Sequence, residues 1–329
     1  MRNIAVLGAT GLVGQEVIKI LEQRNFPMDE LFPFASERSE GQKVVFKDRE
    51  FDIITDYESL LGKAGIVFGC LDTDLSKEIV PKFAEQSVVI DNSAAYRQDP
   101  NVPLVVPEVN PQRIKDHKGI IANPNCSTIQ MLVPLWPIYK KSRIRRIFVA
   151  TYQSVSGYGK DAIEELQLEH EYLAMGANIE KFPESIFPHP IGANVIPQIG
   201  GFDETGYTSE ENKMINETRK IFEDSAILVS PTCVRVPVLI SHSEAVSIDL
   251  EQPVSVSEAK ELLKTAPGVI VLEEDKDYPV PVQCACRDEV FVGRIRKDPA
   301  FSNGLAMWIV ADNVRKGAAL NAVQIAELL

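Results

Sequence analysis

The heptapeptide Gly8-Ala9-Thr10-Gly11-Leu12-Val13-Gly14 constrains the fold of this 329-residue chain more than any other stretch. It follows a short apolar run at residues 3–7, patterned as a buried parallel strand. Val13, Val17, Ile18 and Leu21 then recur at helical spacing. A strand that turns through glycines straight into a helix brings backbone N–H groups close to an anion, and the helix N-terminus adds partial positive charge. The spacing is G-x-x-G-x-x-G rather than the stricter G-x-G-x-x-G, but its place between strand and helix is where the pyrophosphate of a dinucleotide is held. Gly8, Thr10, Gly11, Leu12, Val13 and Gly14 are therefore expected to bind a cofactor.

Further short strands are expected at residues 31–35, 66–70 and 88–90, with a helix at residues 76–86. This alternation predicts a Rossmann-like, doubly wound parallel sheet, an α/β fold. The texture changes after about residue 125. β-Rich stretches appear at 146–155, 226–240 and 244–250, with a Pro/Gly-rich crossing at 183–206. A helix over residues 209–222 opens with Thr208-Ser209-Glu210-Glu211, a capping-box pattern. A second, mixed α+β domain is expected here. The Ala-rich segment 317–329 reads as a helix whose small residues suit close packing, back on the first domain. The expected division is 1–126 plus 312–329 against 127–311.

The formal net charge of -13 argues against nucleic-acid or anionic-membrane partners. No apolar stretch approaches the roughly 18 residues of a membrane span, so a cytoplasmic location is the default expectation. Five cysteines without a C-x-x-C pair read as reduced thiols. Cys284 and Cys286, placed in a strand, would point to opposite faces, which is poor metal geometry; no metal is expected.

Residues 35–39, Ala35-Ser36-Glu37-Arg38-Ser39, bear on the cofactor. An acid at the end of the second strand binds ribose hydroxyls, whereas an Arg suits a 2′-phosphate. Ser36, Arg38 and Ser39 favour NADP, while Glu37 is the residue that would serve NAD. None of the eight tyrosines has Lys at the fourth following position, which excludes the Tyr-x-x-x-Lys chemistry of short-chain reductases.

Asn123-Pro124-Asn125-Cys126-Ser127-Thr128 is the most informative hexapeptide. Pro124 extends the residue before it, Ser127 and Thr128 suit a helix start, and Ile129, Leu132 and Val133 continue at helical spacing. Cys126 thus sits at a helix N-terminus, where a thiolate is favoured and N–H donors face an oxyanion. The other four cysteines lie in or at the end of apolar strands and read as inert. Of the four histidines, His117 lies in a turn, His170 on a charged helix and His189 between prolines. His242 follows a strand, where catalytic and structural readings are evenly balanced.

The segments at residues 8–14, 123–128, 153–157, 235–244, 293–296 and 312–327, in this order, resemble the bacterial aspartate-semialdehyde dehydrogenases. The resemblance implies a phosphorylating, NADP-dependent aldehyde dehydrogenase of lysine, threonine and methionine biosynthesis, working through a Cys126 thioester. It assigns acid/base work to His242 and orientation of the thiol adduct to Gln153. It implies phosphate contacts for Arg97 and Asn125, a carboxylate contact for Arg235, an amine contact for Glu217 and a phosphate or carboxylate contact for Lys220. Ser156, Gly157 and Asn313 would meet the cofactor. It also implies a homodimer or a dimer of dimers, with inorganic phosphate and a small-molecule substrate as the only partners. Residues 69–74, Gly69-Cys70-Leu71-Asp72-Thr73-Asp74, depart from the family's glycine-rich turn; Asp72 and Asp74 would be unfavourable beside phosphates. Two rivals stand beside this reading: a reductase of N-acetylated glutamyl phosphate, which has no use for an amine partner, and a catalytically silent paralogue.

Overall fold

Ile4, Ala5, Val6 and Leu7 have no exposed surface and form strand β1 (Ile4–Leu7). The computed structural model describes residues 3–183, 185–273 and 277–329. In it β1 lies between β2 (Leu31–Phe34) and β5 (Ile66–Gly69), followed by β6 (Val88–Asp91) and β7 (Ile120–Ala122) in a sheet of order β2-β1-β5-β6-β7. Every pairing is parallel. Strands covered on both faces need apolar residues at every position, which explains the unbroken runs in the sequence. β3 (Lys43–Phe46) and β4 (Arg49–Asp52) form a separate hairpin.

Chain order runs from β1 outward to β2 and then back across to β5, so the direction reverses between β1 and β5. The glycine turn lies at the carboxyl end of β1, where open α/β sheets bind ligands. Helix α1 (Leu12–Gln23) follows and buries Val17, Ile18, Ile20 and Leu21. Helix α2 (Thr73–Ala84) starts three residues earlier than the apolar spacing suggests. The reason is Asp72, whose carboxylate accepts hydrogen bonds from the N–H groups of Asp74 and Leu75, each at 3.0 Å. The acidic departure at residues 71–74 is a helix cap.

The end of the chain begins with a π-helical turn at Arg315–Ala319, and only then becomes helix α8 (Leu320–Glu327). Ala319, Ala322 and Ala326 are fully buried against the β1–α1 core, and Arg24 on the α1 side forks onto Glu327 at 2.6 and 2.7 Å. Asn321, also fully buried, donates to the Val105 carbonyl at 3.0 Å and to Asn123 Oδ1 at 2.7 Å. The chain therefore divides into Met1–Asn125 with Gly317–Leu329, and Cys126–Lys316. Both breaks differ slightly from the expected ones. Cys126 is the first residue of a helix of the second unit, and Asp312 and Arg315 bind within that unit, to the Cys286 N–H at 2.7 Å and to Asp288 at 2.8 Å.

The second unit is built on a mixed sheet of order β11-β12-β13-β10-β8-β9. Its strands are β8 (Ile144–Gln153), β9 (Leu228–Arg235), β10 (His242–Leu250), β11 (Val269–Val271), β12 (Val290–Asp298) and β13 (Gly304–Ala311). Around it stand α3 (Cys126–Lys141), α4 (Lys160–Ala174), α5 (Ser209–Phe222), α6 (Val256–Lys264) and the short α7 (Pro281–Cys284). β9 alternates exposed and buried side chains along most of its length, as a sheet with one covered face requires. The strand read across residues 226–240 stops at Arg235, and the chain reaches β10 through Ser241 in the left-handed region at φ 79. Cys284 and Cys286 are not in a strand. Cys284 ends α7 and is buried, whereas Cys286 is exposed at φ 62, a turn that breaks strand geometry.

The glycine turn is sterically closed. A Cβ on Gly14 would lie 2.2 Å from the Gly8 carbonyl oxygen, and one on Gly8, at φ +83, 2.3 Å from that of Cys70. Gly14→Ala is expected to destabilise the protein by about 1–3 kcal/mol, read as a lower urea midpoint. An unchanged midpoint would show that the helix and turn can part without cost.

Candidate active site

Gln153 ends β8, Arg235 ends the parallel β9, and His242 begins the antiparallel β10. Register places Gln153 opposite Arg235, and the Ser243–Tyr152 pair makes His242 the next neighbour of Gln153. Directly opposed residues share a face, so three polar side chains stand in a row at one end of the sheet. All three are at least 97% buried. Helix α3, which starts at Cys126, packs on β8 and β10 of this sheet.

Each member of the row is held by a specific partner. Gln153 Nε2 donates to Ser127 Oγ at 2.8 Å and to Glu210 Oε1 at 3.2 Å. Arg235 Nη1 donates to the Ser154 carbonyl at 2.6 Å, and its guanidinium lies over the Phe187 ring, 5.7 Å from the centroid. Ser154 also donates its backbone N–H to His242 Nδ1 at 3.0 Å. A backbone N–H can only donate, so Nδ1 is the acceptor nitrogen and the imidazole proton resides on Nε2. Burial, and then the Arg235 charge, push the His242 pKa down to about 3, with Glu210 opposing; the ring is neutral at physiological pH. Nε2 is buried, without a hydrogen-bond partner, and faces Gly157.

Gly157 matters for what it lacks. A Cβ there would stand 3.0 Å from Arg235 Nη1 and 3.3 Å from His242 Nε2, so the glycine leaves open the space between guanidinium and imidazole. In this structure it lies between these two groups. Ser156 and Asn313 are neighbours of the same loop. Asn313 Oδ1 accepts from Ser154 Oγ and Ser156 Oγ, each at 3.1 Å, and from the Ser241 N–H at 2.9 Å. Its Nδ2 meets Ser156 Oγ at 3.0 Å. Asn313 thus holds Ser241 in its left-handed turn and aims the chain into β10.

The acidic partner in the row is Glu210, not Glu217. The capping box forms as read: Glu211 N–H donates to Thr208 Oγ1 and Thr208 N–H to Glu211 Oε2. Glu211 Oε1 then accepts the Cys233 N–H of β9 at 3.0 Å, which pins the first turn of α5 beside the sheet. That turn carries Glu210 against Gln153, with Lys213 Nζ 3.0 Å from its other oxygen. Glu217 and Lys220 lie seven residues further along α5, about 10 Å up the axis. Glu217 is fully buried there and Lys220 half-buried. The signal for Glu210 and Lys213 was present as the same i,i+3 spacing in the first turn.

Cys126 is half-buried, and its sulfur and the Arg235 guanidinium act on one another electrostatically. Three other thiols are held neutral. Burial, with a lesser push from Asp91, raises Cys70 to about 12; burial raises Cys284 to about 12 and Cys233 higher still. Of the remaining histidines, His170 and His189 are exposed and His117 accepts a turn N–H from Gly119 at 3.1 Å.

In the first unit, Thr10 Oγ1 and Ser39 Oγ are 3.1 Å apart, tying the glycine turn to the end of β2. Ser36 and Arg38 are exposed beside them and Ser39 is buried. Gly11 caps α1 without a side chain, so the N–H groups of Leu12, Val13 and Gly14 face no capping oxygen. That arrangement fits a dinucleotide phosphate. Arg97 is 8% exposed, donates Nη2 to the Asn92 carbonyl at 2.7 Å and lies near the buried Asp91. Asn125 is 5% exposed, at the end of this unit.

Two family models cover most of the chain: semialdehyde dehydrogenase, NAD binding domain, over residues 3–117, and semialdehyde dehydrogenase, dimerisation domain, over residues 135–316. The aspartate-semialdehyde dehydrogenase of Aquifex aeolicus is 54% identical over 99% of this chain and 97% of its own length. The chain belongs to the aspartate-semialdehyde dehydrogenase family. The Bacillus subtilis enzyme of that name is 44% identical over 99% of the chain and 97% of its own length. Among solved structures, aspartate-semialdehyde dehydrogenase II from Vibrio cholerae, complexed with ASA, matches at TM-score 0.97 and 46% identity, covering 100% of this chain and 98% of that one. The Candida albicans enzyme with NADP matches at TM-score 0.77 and 27% identity, covering 100% and 98%. The fold is that of the family, a Rossmann-like NAD-binding domain followed by a mixed-sheet dimerisation domain. Among the described residues no helix is long and apolar enough to cross a membrane.

The thiols give a direct check on the site. Iodoacetamide at about pH 8 should label Cys126 and the exposed Cys286 first, with Cys70, Cys233 and Cys284 at least tenfold slower, roughly. Peptide mass mapping that finds Cys233 labelled as fast as Cys126 would contradict the burial pattern.

Proposed function

We propose that this member of the family interconverts L-aspartate 4-semialdehyde, phosphate and NADP with 4-phospho-L-aspartate and NADPH, through a thioester on Cys126. The observation that carries the reading is Cys126 at the first residue of α3, under the charge of Arg235. A helix N-terminus and a guanidinium both favour negative charge on that sulfur. When bound, the nicotinamide supplies or accepts the hydride. The N–H groups of Leu12, Val13 and Gly14 would hold the pyrophosphate, and Ser36, Arg38 and Ser39 the 2′-phosphate.

In the biosynthetic direction the Cys126 thiolate attacks the acyl phosphate; the C–S bond forms and phosphate leaves with the electron pair of the C–O bond. After reduction of the thioester carbon, its oxygen carries the developing negative charge. The Nε2–H of His242 faces that charge as a hydrogen-bond donor; the oxygen then re-forms the C=O bond as the C–S bond breaks, and its electron pair returns to Cys126 as the thiolate. Gln153, fixed by Ser127 and Glu210, orients the adduct. Arg235 takes the amino-acid carboxylate. Glu210 takes the substrate ammonium in place of Glu217, with Lys213 in place of Lys220. Arg97 and Asn125 are the proposed phosphate ligands. A carboxylate in the row suits a free amine, which speaks for aspartate semialdehyde over an N-acetylated substrate.

A homodimer is proposed through the open face of the mixed sheet. Phe148 (44% exposed), Tyr152 (40%) and Leu228 (55%) share that face, with Phe148 stacked on Phe301 and Tyr152 against Trp308. The family's second domain is named for dimerisation, which supports this use of the face. Assignment to lysine, threonine and methionine biosynthesis and to the cytoplasm follows from the same reading.

A phosphate-dependent assay with aspartate semialdehyde, run in parallel with NADP and NAD, tests the proposal. Cys126→Ala should reduce kcat by about a thousandfold or more while NADPH binding persists. Turnover at the parent rate would remove the covalent mechanism. Arg38→Ala should raise KM for NADP about tenfold, a loss near 1.4 kcal/mol, and leave NAD use unchanged. Equal effects on both cofactors would dismiss Arg38 as the 2′-phosphate ligand.

A further inference from the structure

Helix α4 turns two acids inward. Ala162, Glu165, Leu166 and Glu169 fall at i, i+3, i+4 and i+7, and all four are buried, whereas Glu164 and Glu171 on the same helix are exposed. Carboxylates are almost never buried without partners. Here the partners come from the irregular segment 185–196. Glu165 Oε2 accepts the Ile186 N–H and its Oε1 the Ser185 hydroxyl, each at 2.7 Å. Glu169 Oε1 accepts the Ile191 N–H at 3.1 Å, and its Oε2 accepts the N–H of Gly192. A Cβ on Gly192 would stand 3.0 Å from Glu169 Cβ, so this close approach needs the glycine.

The same segment bears on Arg235 at two points. The Phe187 ring lies against the guanidinium, 5.7 Å from its centroid, and Tyr158 meets that ring edge-on at 5.4 Å. Further along, Ile196 exchanges both backbone hydrogen bonds with Arg235, at 2.9 and 2.8 Å. Phe187, Ile191 and Ile196 pack into one buried cluster with Ala162 and Leu166 of α4. Irregular backbone has no ladder to fix its course, so its N–H groups go where acceptors stand. We propose that Glu165 and Glu169 are positioning residues, which clamp segment 185–196 so that Phe187 holds the Arg235 guanidinium toward the substrate carboxylate.

The two clamps differ in what they tolerate. An ionised carboxylate offers two acceptor oxygens, whereas a carboxamide offers one and turns its NH2 group against any second donor. Both partners of Glu169 are backbone N–H groups, which can only donate, so a Gln at 169 sets donor against donor. One partner of Glu165 is a hydroxyl. Ser185 Oγ can accept from a Gln at 165 and donate instead to the His189 carbonyl, 3.4 Å away. The substrate carboxylate lies off the reacting carbon, so its contact is alike in the ground and transition states. Loosening that contact raises KM and spares kcat.

The kinetic consequence rests on the carboxylate role of Arg235 proposed above; the clamp does not, and the two are tested apart. Amide hydrogen exchange, read by mass spectrometry over residues 185–196, judges the clamp. Glu169→Gln should speed exchange at Ile191 and Gly192 by about tenfold or more, while Glu165→Gln leaves Ile186 within about threefold of the parent. Parent-like exchange at Ile191 and Gly192 in folded E169Q would overturn the clamp.

Positioning is read from the phosphate-dependent assay. E169Q should raise KM for aspartate semialdehyde about tenfold, with kcat within about threefold and NADPH affinity unchanged, and E165Q should stay within about twofold of the parent KM. A parent KM in folded E169Q, a loss confined to kcat, or equal impairment of E165Q and E169Q each contradicts the positioning role. Should E169Q fail to fold, Glu165→Ala replaces it, with Ile186 as the amide read and the same expected and contrary results. Arg235→Lys keeps the cation but not its planar fork; it should raise KM by itself, and E169Q should then add less than about twofold. A full tenfold added by E169Q in that background would show that the clamp does not act through Arg235. If R235K kept the parent KM, the carboxylate role of Arg235 would fall while amide exchange still judged the clamp.

Discussion

The second unit depends on one buried charge. Arg235 is 3% exposed at the end of a strand, where an unpaired cation would be prohibitive. Its guanidinium is accommodated by the Ser154 carbonyl, the face of Phe187, and the opposite charge or dipole of Glu210 and Cys126. In turn it helps to keep His242 neutral. Remove the cation and His242 loses the second of the two influences, after burial, that keep it neutral. Retain it and one short segment, Ser154, carries both constraints: its carbonyl anchors Arg235 while its N–H chooses the imidazole tautomer.

That economy explains why the polar groups sit at strand ends. β8 and β9 run parallel and stop together, and the antiparallel β10 starts at the same level, so consecutive strands deliver Gln153, Arg235 and His242 to one edge of the sheet. The alternation that puts these three on the α3 side also puts Phe148, Tyr152 and Leu228 on the other. The period of two therefore separates a polar, buried face from an apolar, open one. In the first unit the same logic works without alternation. A parallel sheet covered on both sides leaves only its carboxyl edge for chemistry, and the closed glycine turn occupies that edge.

Much of this was legible in the residues. The unbroken apolar runs, the glycine turn, the capping box at Thr208–Glu211 and the helix start at Cys126 are local signals, and each forms where it was read. The errors have local causes too. Asp72, read as an awkward charge beside phosphates, is a helix cap, because an acid before Thr73 satisfies two N–H groups of its own chain. Cys284 and Cys286, read as a strand, lie at a helix end and a left-handed turn, which their apolar flanks do not announce. Glu217 was preferred to Glu210 although both begin a Glu-x-x-Lys step on one helix. Seven residues is two turns, so both pairs share nearly the same face, and periodicity has no means of ranking them.

Sequence alone determined the local structure: which thiol begins a helix, which glycine turn opens one without a side-chain cap, and which segments alternate with a period of two. Those properties follow from residues within a few positions of one another, where sterics and hydrogen bonding act directly. Tertiary structure decided everything that depends on distance through space. It chose Glu210 over Glu217, set Gly157 between a guanidinium and an imidazole, and put the proton of His242 on Nε2. It also buried Glu244 completely. Burial and facing partners determine protonation, and neither is a property of a residue's neighbours along the chain.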